Sequence, residues 1–127
     1  GITQLAKNKE GVARRNEIAI VYKEAFKSKI KFQSLGTGVV NAHHLFVIEV
    51  ADRKGLYDHL KKQNIFAQIH YIPVHTLPYY KNIGYEGSDL INAENYYADC
   101  ISLPMYPTLT NKEQNFVIEQ VIIFVNG

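Results

Sequence analysis

At 127 residues the chain has the length of one ordinary domain, and an apolar fraction of 46% with a charged fraction of 20% fits a folded chain with a core, not a disordered one. A net charge of +2 lacks the strongly basic face of a dedicated nucleic-acid binder. The single cysteine, Cys100, excludes an internal disulfide, no apolar run nears the roughly 20 residues a bilayer span needs, and no signal peptide opens the chain, so a cytoplasmic location is expected.

Ile18, Val21, Tyr22, Ala25 and Phe26 recur at three- and four-residue spacing and mark one face of a first helix; Ile2 and Leu5 suggest an earlier turn that Lys7–Gly11 interrupts. Lys27, Lys29 and Lys31 read as a solvated helix end, where cations suit the dipole. After a loop at Gly36–Gly38, the β-branched and aromatic run His44–Val50 predicts a strand. Asp52 caps a helix that contains Leu56, Tyr57 and Leu60, and Asn64 is its left-handed stop. Ile65–Tyr71 predicts a second strand, ended by Pro73, and the loop from Pro73 to Gly87 holds a helical turn.

Ser88 caps the next helix, with Leu90, Ala93 and Tyr97 on one face. Ile101–Met105 is a short extended segment broken by Pro104. Thr110 and Glu113 form a capping box for a last helix, Asn111–Asn126, with Val117, Val121, Phe124 and Val125 as its buried stripe. This order predicts one α+β domain over residues 1–127: a small, mostly antiparallel sheet with helices on one side and an open face that something outside the segment covers.

The chemistry concentrates in Gln68–Tyr80, where two histidines, two prolines and three tyrosines fall within thirteen residues. No metal is expected: His43 and His44 are adjacent and would point to opposite faces of a strand, and His70 and His75 flank a proline bend without a Cys or carboxylate at ligand spacing. Cys100 has no adjacent histidine or glycine elbow and reads as a buried, inert thiol. No phosphate-binding or dinucleotide glycine motif is present. Tyr71, Tyr79 or Tyr80 would stack on or hydrogen-bond a polar ligand, or pack; on these residues alone both readings stay open.

Four segments together resemble the carboxy-terminal domain of the DegT/DnrJ/StrS sugar aminotransferases: Gly1–Leu5, Arg15–Tyr22, Gln68–His75 and Ser102–Thr110, in the family's order and across nearly the whole chain. The wording of the His70 loop and of Ala93–Tyr97 is most similar to the branch that aminates a UDP-linked 4-keto-6-deoxy-N-acetylhexosamine for pseudaminic acid. The resemblance implies the small domain of a fold-type I pyridoxal-phosphate enzyme, working as a homodimer on a nucleotide-linked keto-sugar with an amino-acid donor, usually glutamate. It places the Schiff-base lysine in an amino-terminal domain that precedes Gly1, so the chain alone is expected to be inactive and holds no catalytic residue. Lys7–Gly11 departs from the apolar helix expected after Leu5. His70, Tyr71 and His75 match the loop that borders the sugar-nucleotide pocket and are expected to position substrate. A protonated His70 would help neutralise the diphosphate. Two other readings stand beside this one: a sugar dehydratase of the same superfamily, with a histidine in place of the lysine, and a stand-alone binding or dimerisation module.

Overall fold

Helix α1 (Ile2–Phe26) runs unbroken for 25 residues, through the Lys7–Gly11 stretch expected to interrupt it. Helix propagation is cooperative, and one interior glycine costs only about 1 kcal/mol. The computed structural model describes residues 2–36, 38–39, 41–84 and 90–127, with the side chains of α1 from Asn8 onward. The buried stripe of α1 is Ile18, Ala19, Tyr22 and Phe26, while Val21, expected on that face, is exposed. A stripe through 18, 22 and 26 turns toward 19 and away from 21.

The sheet is three-stranded and antiparallel, in the order β1 (Lys31–Phe32), β2 (Phe46–Glu49), β3 (Cys100–Leu103). Strand β1 was not expected; Lys31 sits opposite Glu49 in it rather than on a helix end, with Nζ 2.6 Å from Oε2. That bond and the carboxylate charge raise the Lys31 pKa. In β2, Phe46 and Ile48 point into the core, opposite Leu103 and Ile101 of β3. Of the strand expected over Ile65–Tyr71, only one bridge remains: Gln68 exchanges both backbone bonds with Ser102, at 3.0 and 2.7 Å. Ile65 and Ala67 still turn inward and Phe66 outward, so the alternation survives without the ladder.

Helix α2 (Arg53–Lys62) buries Leu56 and Leu60, and Asn64 follows with a φ of 59° as its left-handed stop. Asp52 Oδ1 accepts the Gly55 N–H at 2.9 Å. A Cβ on Gly55 would collide with the Asp52 carboxylate and lie 2.9 Å from the Phe124 ring. Gly55→Ala is therefore expected to cost about 1–2 kcal/mol, although alanine is the better helix former. Chemical denaturation checks this; a gain in stability would contradict it.

After a 3₁₀ turn (Val74–Thr76) and α3 (Pro78–Asn82), α4 (Ile91–Asp99) lies against β2. Ser88, the expected cap of α4, lies outside the described residues. Its expected buried face is mostly open: Leu90 and Ala93 are exposed, and only Tyr97 turns in, beneath the Arg53 guanidinium at 5.0 Å. Helix α5 (Asn111–Asn126) packs on α2 and α1 and buries Val117 and Val121. Phe124 is partly buried against the core and Val125 is exposed, while Gln114 and Gln120 join the buried stripe. Their amides are satisfied there: Gln114 Nε2 donates to the Ile18 carbonyl at 2.8 Å, and Gln120 meets His59 at 3.1 Å.

The Thr110 N–H and hydroxyl both donate to Glu113, at 2.8 and 2.6 Å, and these bonds hold the Glu113 carboxyl below its usual range. A depressed pKa in the folded state contributes stability above the ordinary carboxylate range, lost as pH falls through the folded value. The first turn of α5 is expected to loosen as pH falls below the ordinary carboxylate range. Amide exchange at residues 112–114 reads this, and Glu113→Gln should remove the acid dependence. Among the described residues no helix is long and apolar enough to cross a membrane.

Candidate functional site

The bend that leaves the Gln68 bridge presents His70 and Tyr71, joined by a cis peptide bond, at one edge of the sheet. His70 Nδ1 is hydrogen-bonded to Ser102 Oγ at 2.9 Å, the direction set by the ring tautomer. Ser102 is buried and held by its backbone bonds to Gln68, so a rigid strand orients the imidazole. Among the described residues His70 Nε2 has no hydrogen-bond partner. The Tyr71 ring meets the His70 ring edge-on at 4.7 Å and is 73% exposed.

Two clefts meet at His70. The first, about 520 Å³, lies over the outer side of β3 and the start of α5, where Gln68, Ser102, Met105, Tyr106 and Phe116 line it. The second, about 360 Å³, lies between α1, the loop before β2 and the His70–Tyr71 bend. Tyr71 and Tyr96 line its outer side; burial, then the nearby Cys100 and Glu49, raises the Tyr96 hydroxyl pKa.

His75 stands apart from both clefts. Its Nε2 is 2.9 Å from Glu94 Oε1, and this contact ties the 3₁₀ turn to α4. Tyr79 and Tyr80 pack edge to face at 5.3 Å on the exposed helix α3. Thus the structure brings His70 and Tyr71 together, while His75 serves the other end of the same loop. Ser102, Glu94 and Tyr96 also flank this loop, and residue type and spacing do not single them out as its partners. Ser102 alone left a signal, as the one hydroxyl in the buried strand Cys100–Leu103.

Cys100 is buried, and burial pushes its thiol pKa up, so it is a poor nucleophile. Among the described residues no three His, Cys, Asp or Glu side chains are grouped to hold a metal ion. Nor do those residues complete a site for pyridoxal phosphate. Lys31 and Lys54 are engaged in surface ion pairs with Glu49 and Asp58. Lys23 lines the second cleft, whose lining contains no carboxylate to meet a pyridine nitrogen. No catalytic step on that cofactor follows from these side chains.

The DegT/DnrJ/EryC1/StrS aminotransferase family matches residues 1–122. The spore coat polysaccharide biosynthesis protein SpsC of Bacillus subtilis is 37% identical over 100% of this chain and 35% of its own length. The dTDP-3-amino-3,6-dideoxy-alpha-D-galactopyranose transaminase of Aneurinibacillus thermoaerophilus is 33% identical over 85% of this chain and 30% of its own. A Streptococcus pneumoniae protein described as a sugar aminotransferase, in its PMP form, superposes with a TM-score of 0.92 at 26% identity, over 99% of this chain and 33% of its own. Helicobacter pylori PseC, an aminotransferase involved in the biosynthesis of pseudoaminic acid, superposes with a TM-score of 0.87 at 26% identity, over 99% of this chain and 36% of its own. The pseudaminic-acid branch is therefore one of several that this chain is similar to. The chain spans about a third of the length of the curated relatives it matches. On the family match and the superposed fold, the chain belongs to the DegT/DnrJ/EryC1/StrS aminotransferase family.

Proposed function

We propose that this chain is the smaller, carboxy-terminal domain of a pyridoxal-phosphate-dependent aminotransferase that moves an amino group from an amino acid, glutamate by preference, to a nucleotide-linked 4-keto-6-deoxy sugar. In this reading residues 1–127 supply the sugar-side loop of a cytoplasmic homodimer, and a separate domain holds the cofactor. The observation that carries the reading is the His70–Ser102 hydrogen bond, which leaves Nε2 uncommitted at the junction of two clefts beside an exposed Tyr71. A fixed imidazole and a phenol suit hydrogen bonds to sugar hydroxyls or a diphosphate, and neither is assigned as the catalytic base. His75 has Nε2 engaged by Glu94, so it fixes the loop and offers a ligand only Nδ1.

The chain's span of about a third of its relatives favours a domain that works with another, as does an open surface of apolar and aromatic side chains around the loop (Ile72, Val74, Tyr79, Ile83). A UDP-linked 4-keto-6-deoxy-N-acetylhexosamine is one sugar within the proposed class, supported by the likeness to PseC. The dTDP-sugar transaminase among the relatives supports the wider class. The test is product analysis: the protein that carries this domain, given pyridoxal phosphate, glutamate and a nucleotide-linked 4-keto-6-deoxy sugar, should yield the amino sugar and 2-oxoglutarate. Loss of water from the sugar without amine transfer would favour the dehydratase instead.

A further inference from the structure

The second cleft is lined by one lysine and three histidines and by neither Asp nor Glu. Lys23 projects from the last turns of α1 and is partly buried, and among the described residues it makes no ion pair or side-chain hydrogen bond. With no carboxylate in the lining, the Lys23 charge and the surrounding ring and amide donors favour an incoming anion. His43 is buried and its backbone is held in place: Asn41 Oδ1 accepts the His43 backbone N–H at 2.7 Å, and Asn16, two turns before Lys23 on α1, donates to the Asn41 carbonyl at 3.0 Å. These bonds tie the loop before β2 to the helix that bears Lys23. Gln33 and Asn41 amides and the Tyr71 and Tyr96 hydroxyls complete a lining rich in donors.

We propose that this cleft is an anion subsite for the diphosphate of the nucleotide-linked substrate, with the Lys23 ammonium as its fixed charge and the His43 imidazole as a second donor. The identity of the ligand rests on the aminotransferase reading; the preference for an anion rests on the lining alone. Burial, and behind it the Lys23 charge, lowers the His43 pKa. An anion between the two groups would offset both effects and draw a proton onto His43. The other titratable groups at the cleft are His44, His70, Tyr71 and Tyr96.

The test is NMR of the histidine ring protons in the 127-residue chain, titrated with inorganic pyrophosphate at fixed neutral pH. Saturable shifts are expected at His43, His44 and His70 and not at His59 or His75, with an affinity on the order of 1 mM. Lys23→Gln should weaken binding roughly fivefold, and Lys23→Arg should retain it. No shift, equal shifts at all five histidines, or an unchanged affinity in Lys23→Gln would overturn the subsite. In the larger protein, nucleotide-sugar turnover with an unaltered KM in Lys23→Gln would overturn the subsite and leave the aminotransferase reading intact. Pyrophosphate binding at His43 together with no amine transfer would support the anion site and sink that reading.

Discussion

Tyr22→Ala is expected to destabilise the chain by about 3–5 kcal/mol, the range for removing a fully buried aromatic ring. Tyr22 is 0% exposed, stacks on Phe26 at 5.8 Å and tilts against Phe46 at 4.9 Å, so it joins α1 to the sheet. Its hydroxyl donates to the Pro104 carbonyl at 3.0 Å, just past the end of β3, and burial drives its pKa far above the usual phenol range. The phenol is thus a fixed neutral donor. Tyr22→Phe keeps the ring and should cost only about 1 kcal/mol, for the lost bond and the unpaired carbonyl. Urea denaturation of the two variants checks both values. A Tyr22→Ala loss no larger than that of Tyr22→Phe would mean that the ring is not the join between α1 and the sheet. Because Pro104 and Ser102 line the same cleft, loosening this join is also expected to disorder His70.

His70→Ala, in the protein that carries this domain, is expected to raise KM for the nucleotide-linked keto-sugar roughly ten- to a hundredfold. That factor corresponds to one strong hydrogen bond of about 1.4–2.8 kcal/mol. Reaction of the cofactor with the amino donor should be unchanged, since His70 is proposed to meet the nucleotide-linked sugar. Ser102→Ala leaves the imidazole in place but unfixed, and should cost about three- to tenfold. Steady-state kinetics with each substrate varied in turn separates these effects. An equal loss for the amino donor and the sugar would contradict a role confined to the sugar side.

Much of the fold was legible wherever one residue type has one local use. Asp52, Asn64, Thr110 and Glu113 sit at the caps and stops their chemistry predicts. The antiparallel sheet and its helices followed from periodicity. The limits were physical. Strand β1 has two residues, too few for a period, and its lysine resembles a helix end. Past the Gln68 bridge the ladder stops, and the His70 ring meets the Ser102 hydroxyl instead, a choice that β-propensity does not encode. Gln114 and Gln120 are core residues that hydropathy places outside. In the candidate site, the proline-bounded, ring-rich loop drew attention to His70, Tyr71 and His75. Which of them share a cleft depended on Ser102 and Glu94, which lie 32 and 19 residues away in sequence from His70 and His75.

The most direct test of the central claim, that this chain meets the sugar nucleotide through the His70–Tyr71 bend, is a crystal structure of the larger protein with a nucleotide-linked sugar bound. His70 Nε2 or the Tyr71 hydroxyl is expected within about 3.2 Å of a ligand oxygen. A ligand held entirely by other parts of the protein, with the bend facing away, would contradict it.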